Sequence, residues 1–165
     1  ELITSLPMWE KFCAGRKRHI THPEVIQAIK DHQSQNGPNT YPGGKTLVGM
    51  ALSTARCWYR SGKLKQEIID MYNDAIPNMA WDAEDILIGK ATNRLQAQYV
   101  IIKNYVDLHG SLPTYKDKDS AEFKIMNNVK MVERADRMRE YKLVQPHIRQ
   151  LFEALPGWQW TENRC

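Results

Sequence analysis

The sequence predicts an all-α chain built from two tandem three-helix bundle repeats. Three observations lead there. Apolar residues recur at helical spacing, and no long two-residue alternation typical of a strand is visible. The segment Lys45–Trp81 aligns without a gap on Lys124–Trp160 at an offset of 79. Nine of its 37 positions are identical: Lys45/Lys124, Arg60/Arg139, Lys63/Lys142, Leu64/Leu143, Gln66/Gln145, Ile69/Ile148, Ala75/Ala154, Pro77/Pro156 and Trp81/Trp160. Upstream, Ile29-Lys30 with Gly37 matches Ile102-Lys103 with Gly110 at an offset of 73, so the six-residue difference falls in a longer second loop, Ser111–Ser120.

A third echo stands at the front, where Leu6-Pro7-Met8-Trp9 resembles Leu155-Pro156-Gly157-Trp158. That motif ends a repeat. Residues 1–12 therefore read as the tail of a preceding repeat, 13–81 as repeat 1 and 82–165 as repeat 2. Beginning at Glu1 without an initiator Met, the chain reads as a piece of something longer.

In repeat 1, Pro23 fits the first turn of a helix running to about Gln35, and Asn36-Gly37 stops it. Thr46 can cap the second helix, where Leu47, Met50, Ala51, Thr54 and Trp58 share one face and form the expected core stripe. Ser61-Gly62 ends it. The third helix carries Leu64, Ile68, Ile69, Tyr72, Ala75 and Ile76, and Pro77 closes it. In repeat 2 a long helix is expected over about 84–108, stopped by His109-Gly110. The next starts near Asp119 or Ser120, with Glu122 placed for an approximate capping box. Its apolar pattern is irregular, with Ile125, Val129 and Val132 opposite Met131 and Met138. The last has Pro146 in its first turn, then Ile148, Leu151, Phe152 and Leu155.

The 165 residues include 23 Lys+Arg and 19 Asp+Glu, a formal net charge of +4, with 42% apolar residues. This composition suits a folded chain and not a disordered one. No window approaches the roughly 18 uninterrupted apolar residues of a membrane span. Cys13, Cys57 and Cys165 are odd in number and lack any CxxC pair, so reduced thiols and an intracellular setting (cytoplasm, nucleoid or nucleus) are expected. The charge is unevenly distributed. Residues 67–89 hold six acids (Glu67, Asp70, Asp74, Asp82, Glu84, Asp85) and no Lys or Arg, which leaves 23 basic against 13 acidic residues elsewhere. Such zoning lets local potential steer a polyanion despite a modest total.

The cations concentrate at helical spacing. Arg56 and Arg60 are placed opposite the Leu47/Ala51/Trp58 stripe, with Lys63 and Lys65 in the following turn and Lys45 before the helix. In the second copy Lys130, Arg134 and Arg137 follow i, i+4, i+7, with Lys124 and Asn127 before them and Arg139 and Lys142 after. Cationic stripes on exposed helix faces suit phosphate contacts, while Asn127, Asn128 and Gln96 have the chemistry to read base edges. A solvated face with internal ion pairs such as Glu133–Arg137 is the competing reading. Trp81, Trp158 and Trp160 follow helix-ending prolines and are expected to cover the core rather than stack on bases. Pro42-Gly43-Gly44-Lys45-Thr46 resembles the end of a phosphate loop, but Asn39 stands where the first Gly belongs and no strand precedes it, which argues against nucleotide hydrolysis. A Gly-Gly turn entering a helix can still offer backbone N–H groups to one phosphate. His19, His22 and Cys13 match no zinc spacing, and Cys57 has no His partner in sequence. Asp82, Glu84 and Asp85 fit the N-terminus of the long helix better than a magnesium site. No cofactor, metal or catalytic residue is expected.

Gly110-Ser111-Leu112-Pro113, an Arg-bearing helix, Tyr141-Lys142-Leu143, and Phe152-Glu153-Ala154-Leu155-Pro156-Gly157-Trp158-Gln159-Trp160 resemble the helicase-associated domain, a small three-helix repeat. The first copy supplies Thr46-Leu47-Val48-Gly49, Ser61-Gly62-Lys63-Leu64 and Ala75-Ile76-Pro77-Asn78-Met79-Ala80-Trp81, with Asn78-Met79 in place of Gly-Trp. Neither copy carries a clear Trp in its first helix. The resemblance spans nearly the whole chain. It implies a non-catalytic, nucleic-acid-binding accessory domain, alone or as part of a larger helicase or nuclease, with duplex DNA the expected polymer. The competing expectation is a helical scaffold whose 67–89 segment, with Trp81 and Ile86-Leu87-Ile88, docks a helicase or another protein.

Overall fold

A computed structural model describes residues 20–162. Over these residues the chain is all-helical, with six α-helices, one short 3-10 turn at Tyr115–Asp117, and no strand. The expected tail 1–12, together with Cys13, His19 and Cys165, lies outside the described residues. The helices are α1 (His22–Asn36), α2 (Leu47–Arg60), α3 (Gln66–Ala75), α4 (Ala83–His109), α5 (Ala121–Arg139) and α6 (Pro146–Glu153). Among the described residues no helix is long and apolar enough to cross a membrane.

The chain divides into two compact units. The first comprises 20–35 with Tyr41–Pro77; the second comprises Asn36–Thr40 and the chain from Asn78 onward. The division falls at Pro77, four residues before the sequence-based boundary at 81. Segment 36–40 joins the second unit because α4 clasps it. Asn39 takes a left-handed φ of 58°. Its Nδ2 donates to Asn93 Oδ1 at 3.1 Å, and Asn93 Nδ2 donates to the Pro38 carbonyl. A Cβ at Gly89 would lie 2.9 Å from Asn39 Cβ, so glycine lets the loop approach the helix.

In the first unit the punctuation acts as its residue types dictate. Gly37, at φ 92° in the segment that belongs to the second unit, follows the end of α1. Thr46 caps α2, accepting from the Gly49 N–H at 3.0 Å. Gly62, at φ 70°, turns the chain after α2. Val25, Ile26, Ile29, Leu52, Ala55, Leu64, Tyr72 and Ile76 are buried. The His22 ring meets Tyr72 edge-on, with Nδ1 3.1 Å from the phenolic oxygen. Burial pushes the Tyr72 hydroxyl up to about 12.

One expected face is reversed. Leu47, Met50 and Trp58 do not form the core stripe of α2; they are 46%, 51% and 48% exposed. The buried side is Gly49, Leu52 and Ala55. The reason is steric: a Cβ on Gly49 would sit 2.0 Å from the Gly43 carbonyl oxygen, so the loop before α2 lies against the helix at a point only glycine permits. Reversal of the stripe turns Arg56 inward, where its guanidinium lies 4.6 Å from the Tyr41 ring centre.

The second unit has a continuous core. α4 packs against both α5 and α6. Leu95, Ile102 and Val106 of α4 meet Met126 and Val129 of α5, and Ile148 and Phe152 of α6, with Val144, Leu155 and Trp158 completing the cluster. Phe152 sits at its aromatic centre, 5.5 Å from Tyr99, 4.8 Å from Trp158 and 5.8 Å from Trp160. Trp81 and Trp158 are buried, as the Pro-then-Trp pattern led us to expect. Asp82 and Asp85 form a reciprocal capping box at the start of α4. At α5 the cap is Ser120, accepting from the Phe123 N–H at 3.1 Å. The box position is Phe123, so Glu122 stands one residue too early to complete the expected box.

Candidate nucleic-acid interface

The cations fall into two classes by environment. Lys45, Arg60, Lys63 and Lys65 in the first unit are exposed, and among the described residues none forms an ion pair. Backbone geometry brings Lys63 beside the end of α2, since its N–H and that of Leu64 both donate to the Trp58 carbonyl, at 2.8 and 3.2 Å. Arg60 folds back along the helix, with Nε donating to the Arg56 carbonyl at 3.4 Å. At the other end, Gly43, Gly44 and Lys45 are exposed, and Thr46 Oγ1 donates to the Gly43 carbonyl at 2.8 Å, fixing the turn ahead of the helix.

The stripe of the second unit is different. Lys130 and Arg134 lie half-buried on the flank of α5, and Arg137, though exposed, is tied down instead of standing out as part of a cationic ridge. The Lys130 ammonium sits 5.0 Å from the Trp158 ring centre, and burial holds its basicity below the usual lysine range. Arg134 is half-buried, and its Nε has no hydrogen-bond partner among the described residues. Arg137 is held twice, with Nε 3.3 Å from Glu133 Oε1 and Nη2 donating to the Thr161 carbonyl at 2.7 Å. Lys124, Asn127, Arg139 and Lys142 are exposed.

The cause is a pair of buried acids. Glu133 is 2% exposed and Asp136 is 4% exposed. They continue the inward series Met126, Val129, Glu133, Asp136, whose 3-4-3 spacing is that of a core face. Arg149 of α6 donates from Nη1 to Glu133 Oε1, and its Nη2 lies 3.7 Å from Asp136 Oδ2. Asp136 also accepts from the Leu143 N–H at 2.8 Å and the Val144 N–H at 3.1 Å. These bonds anchor a turn in which Glu140 and Lys142 take left-handed φ values of 54° and 55°. Such a conformation costs an L-residue on the order of 1 kcal/mol. The competing sequence reading put Glu133 on a solvated face, paired with Arg137; the pair is present but Glu133 is buried, and Arg149 was missed. The spacing was a usable signal for the acids; the partner 16 residues away was not.

This turn borders a groove of about 600 Å³ whose lining includes Arg137, Lys142 and Arg149, together with Asp136 and Glu140. The acids offset most of its positive charge, so it suits a polyanion less well than the first unit. The acidic 67–89 segment also changes on inspection. Trp81 is buried, and Asp82 and Asp85 are engaged in the helix cap, which leaves Leu87 as the large exposed apolar residue of its Ile86-Leu87-Ile88 run. Among the described residues no group of three or more His, Cys, Asp or Glu side chains is placed to hold a metal ion.

No known family profile, curated protein or solved structure matches the chain.

Proposed function

We propose that the chain is a nucleic-acid-binding accessory module, with DNA as its polymer, made of two helicase-associated-like three-helix repeats. Its role is to anchor a larger protein or complex by phosphate contacts, without catalysis of its own. The observation that carries this reading is a charge segregation. Residues 32–66 contain Lys45, Arg56, Arg60, Lys63 and Lys65 and not one Asp or Glu, and four of those five cations are exposed. An acid-free, exposed cluster of this kind raises the local positive potential and favours association with phosphates through counterion release. In the second unit, Lys124, Arg139 and Lys142 are exposed cations available to phosphate.

Fluorescence anisotropy with labelled mixed-sequence DNA at low salt tests the proposal. Binding that weakens steeply with added salt is expected, and absence of binding in 20 mM-range salt contradicts it (about 20 mM gives a Debye length above 20 Å). An Arg60→Glu/Arg139→Glu double reversal separates it from the scaffold reading. Loss of DNA binding with binding of a protein partner intact supports the nucleic-acid reading; loss of partner binding with DNA binding intact supports the scaffold.

A further inference from the structure

The outward face of α2 combines two properties that seldom meet on a solvated helix. It is apolar and aromatic, with Leu47, Met50 and Trp58 each about half exposed. It also lies inside the acid-free stretch, between Lys45 before its first turn and Lys63 after its last. At about 1.5 Å per residue, Leu47 and Trp58 are about 16 Å apart along the axis, room for a short run of nucleotides. An α2 face meant only for solvent has no reason to carry an indole, and one meant for a protein core has no reason to be framed by lysines.

Resting on the nucleic-acid reading above, we infer that this face is a stacking platform for single-stranded nucleic acid. Trp58 takes the face of an unpaired base, Met50 and Leu47 continue the apolar floor, and Lys45 and Lys63 hold phosphates at either end. The choice of single strand follows from chemistry. A duplex hides its base faces and offers phosphates and groove edges, to which an exposed indole contributes little; an unpaired base presents a π-face, and stacking on an aromatic tolerates any sequence. The choice of nucleic acid over a protein partner follows from charge, since the first acids beyond the stretch are Asp31 and Glu67.

The test uses the full chain and a labelled oligothymidylate of about 15 nucleotides, a length within the usual footprint of single-strand binders. Anisotropy titrations compare the wild type with Trp58→Ala, Trp58→Phe and Lys63→Gln, with a duplex of equal length alongside and helicity monitored by circular dichroism. Trp58→Ala is expected to weaken single-strand binding at least fivefold, Trp58→Phe to stay within about twofold, and duplex binding to change little. Lys63→Gln should lower the salt slope on the single strand by up to about 0.7. Unchanged single-strand affinity in Trp58→Ala overturns this inference while leaving the nucleic-acid reading intact. If neither oligonucleotide binds, that broader reading falls as well. If sedimentation reveals a self-association that Trp58→Ala abolishes while oligothymidylate affinity stays constant, the face is a contact between copies of the chain and the inference is overturned.

Discussion

Helices α2 and α5 carry the cations expected to meet phosphate in their two units, and they set those charges differently. On α2 the core side is Gly49, Leu52 and Ala55, none with a polar side chain to satisfy, and the unit leaves its lysines and Trp58 exposed. On α5 two acids occupy core positions; Arg137 pairs with one of them, Lys130 lies over Trp158, and Arg134 is half-buried. In both units a basic residue of the helix leans on an aromatic ring, Arg56 on Tyr41 and Lys130 on Trp158; the difference is that the first unit adds the exposed cations Lys45, Arg60, Lys63 and Lys65 at and beyond the ends of its helix, while the second sets acids among its cations. What decides is the residue on the opposite flank: glycine and alanine bury themselves without demands, whereas a buried carboxylate requires cations and backbone N–H groups around it.

The contrast predicts where damage should appear. The largest effect is expected from Glu133→Ala. It leaves Arg137 without its carboxylate and Arg149 with Asp136 alone, 3.7 Å away, and should cost about 3 kcal/mol in urea unfolding. DNA affinity measured on the folded fraction should hardly move, because Arg149 is turned toward the buried acids and Arg137 stays held by the Thr161 carbonyl. A large loss of affinity with stability intact would break the contrast. Next comes Gly49→Ala, whose methyl group would meet the Gly43 carbonyl oxygen at 2.0 Å. The loop must shift, at a cost of about 2 kcal/mol, and hydrogen exchange should quicken first in the opening turn of α2.

A smaller effect is expected in the core of the first unit. Tyr72→Phe removes the contact to His22 Nδ1 and should cost about 1 kcal/mol at neutral pH. The pH profile adds a second signature. The folded hydroxyl titrates near 12, above the unfolded value near 10. The folded state therefore holds its proton more tightly, so its contribution is intact below about pH 10 and is lost as pH climbs toward 12. The phenylalanine variant should lack that loss; an identical alkaline decline in both proteins would assign it elsewhere. The smallest effect is expected at Lys130. Burial disfavours its charged form, so Lys130→Met over the Trp158 ring should change stability by no more than about 0.5 kcal/mol, and the wild type should gain slightly as pH rises toward the free lysine value.

Much of the fold was legible in sequence because helix ends are written locally. Thr46, Gly62, Asp82, Gly110 and Pro146 each act within one turn of their own position, and each is found where its residue type places it. The burial of Trp81 and Trp158 was legible for a similar reason, since a helix-ending proline directs the next residues back over the bundle. Two features were not readable. On α2 the Gly43–Gly49 approach lies on the inward side, and a hydrophobicity stripe cannot reveal that Leu52 rather than Leu47 takes the core. The placement of Lys130 over Trp158 and the burial of Glu133 against Arg149 depend on residues that reach α5 only through the tertiary fold. Of the expected nucleic-acid residues, Lys45, Arg60, Lys63, Lys65, Lys124, Asn127, Arg139 and Lys142 stand exposed, while Arg56, Lys130 and Arg134 are half-buried and Arg137 is tied to Glu133 and Thr161.

The most direct measurement is the salt dependence of duplex DNA binding in two charge-neutralised variants. One carries Lys45→Gln, Arg60→Gln, Lys63→Gln and Lys65→Gln; the other carries Lys130→Gln, Arg134→Gln and Arg137→Gln. Each phosphate contact contributes about 0.9 to the slope of log affinity against log salt. The account predicts that the first variant loses a slope of about two or more, while the second stays within about one of the wild type. A slope that survives in the first variant and collapses in the second would contradict it.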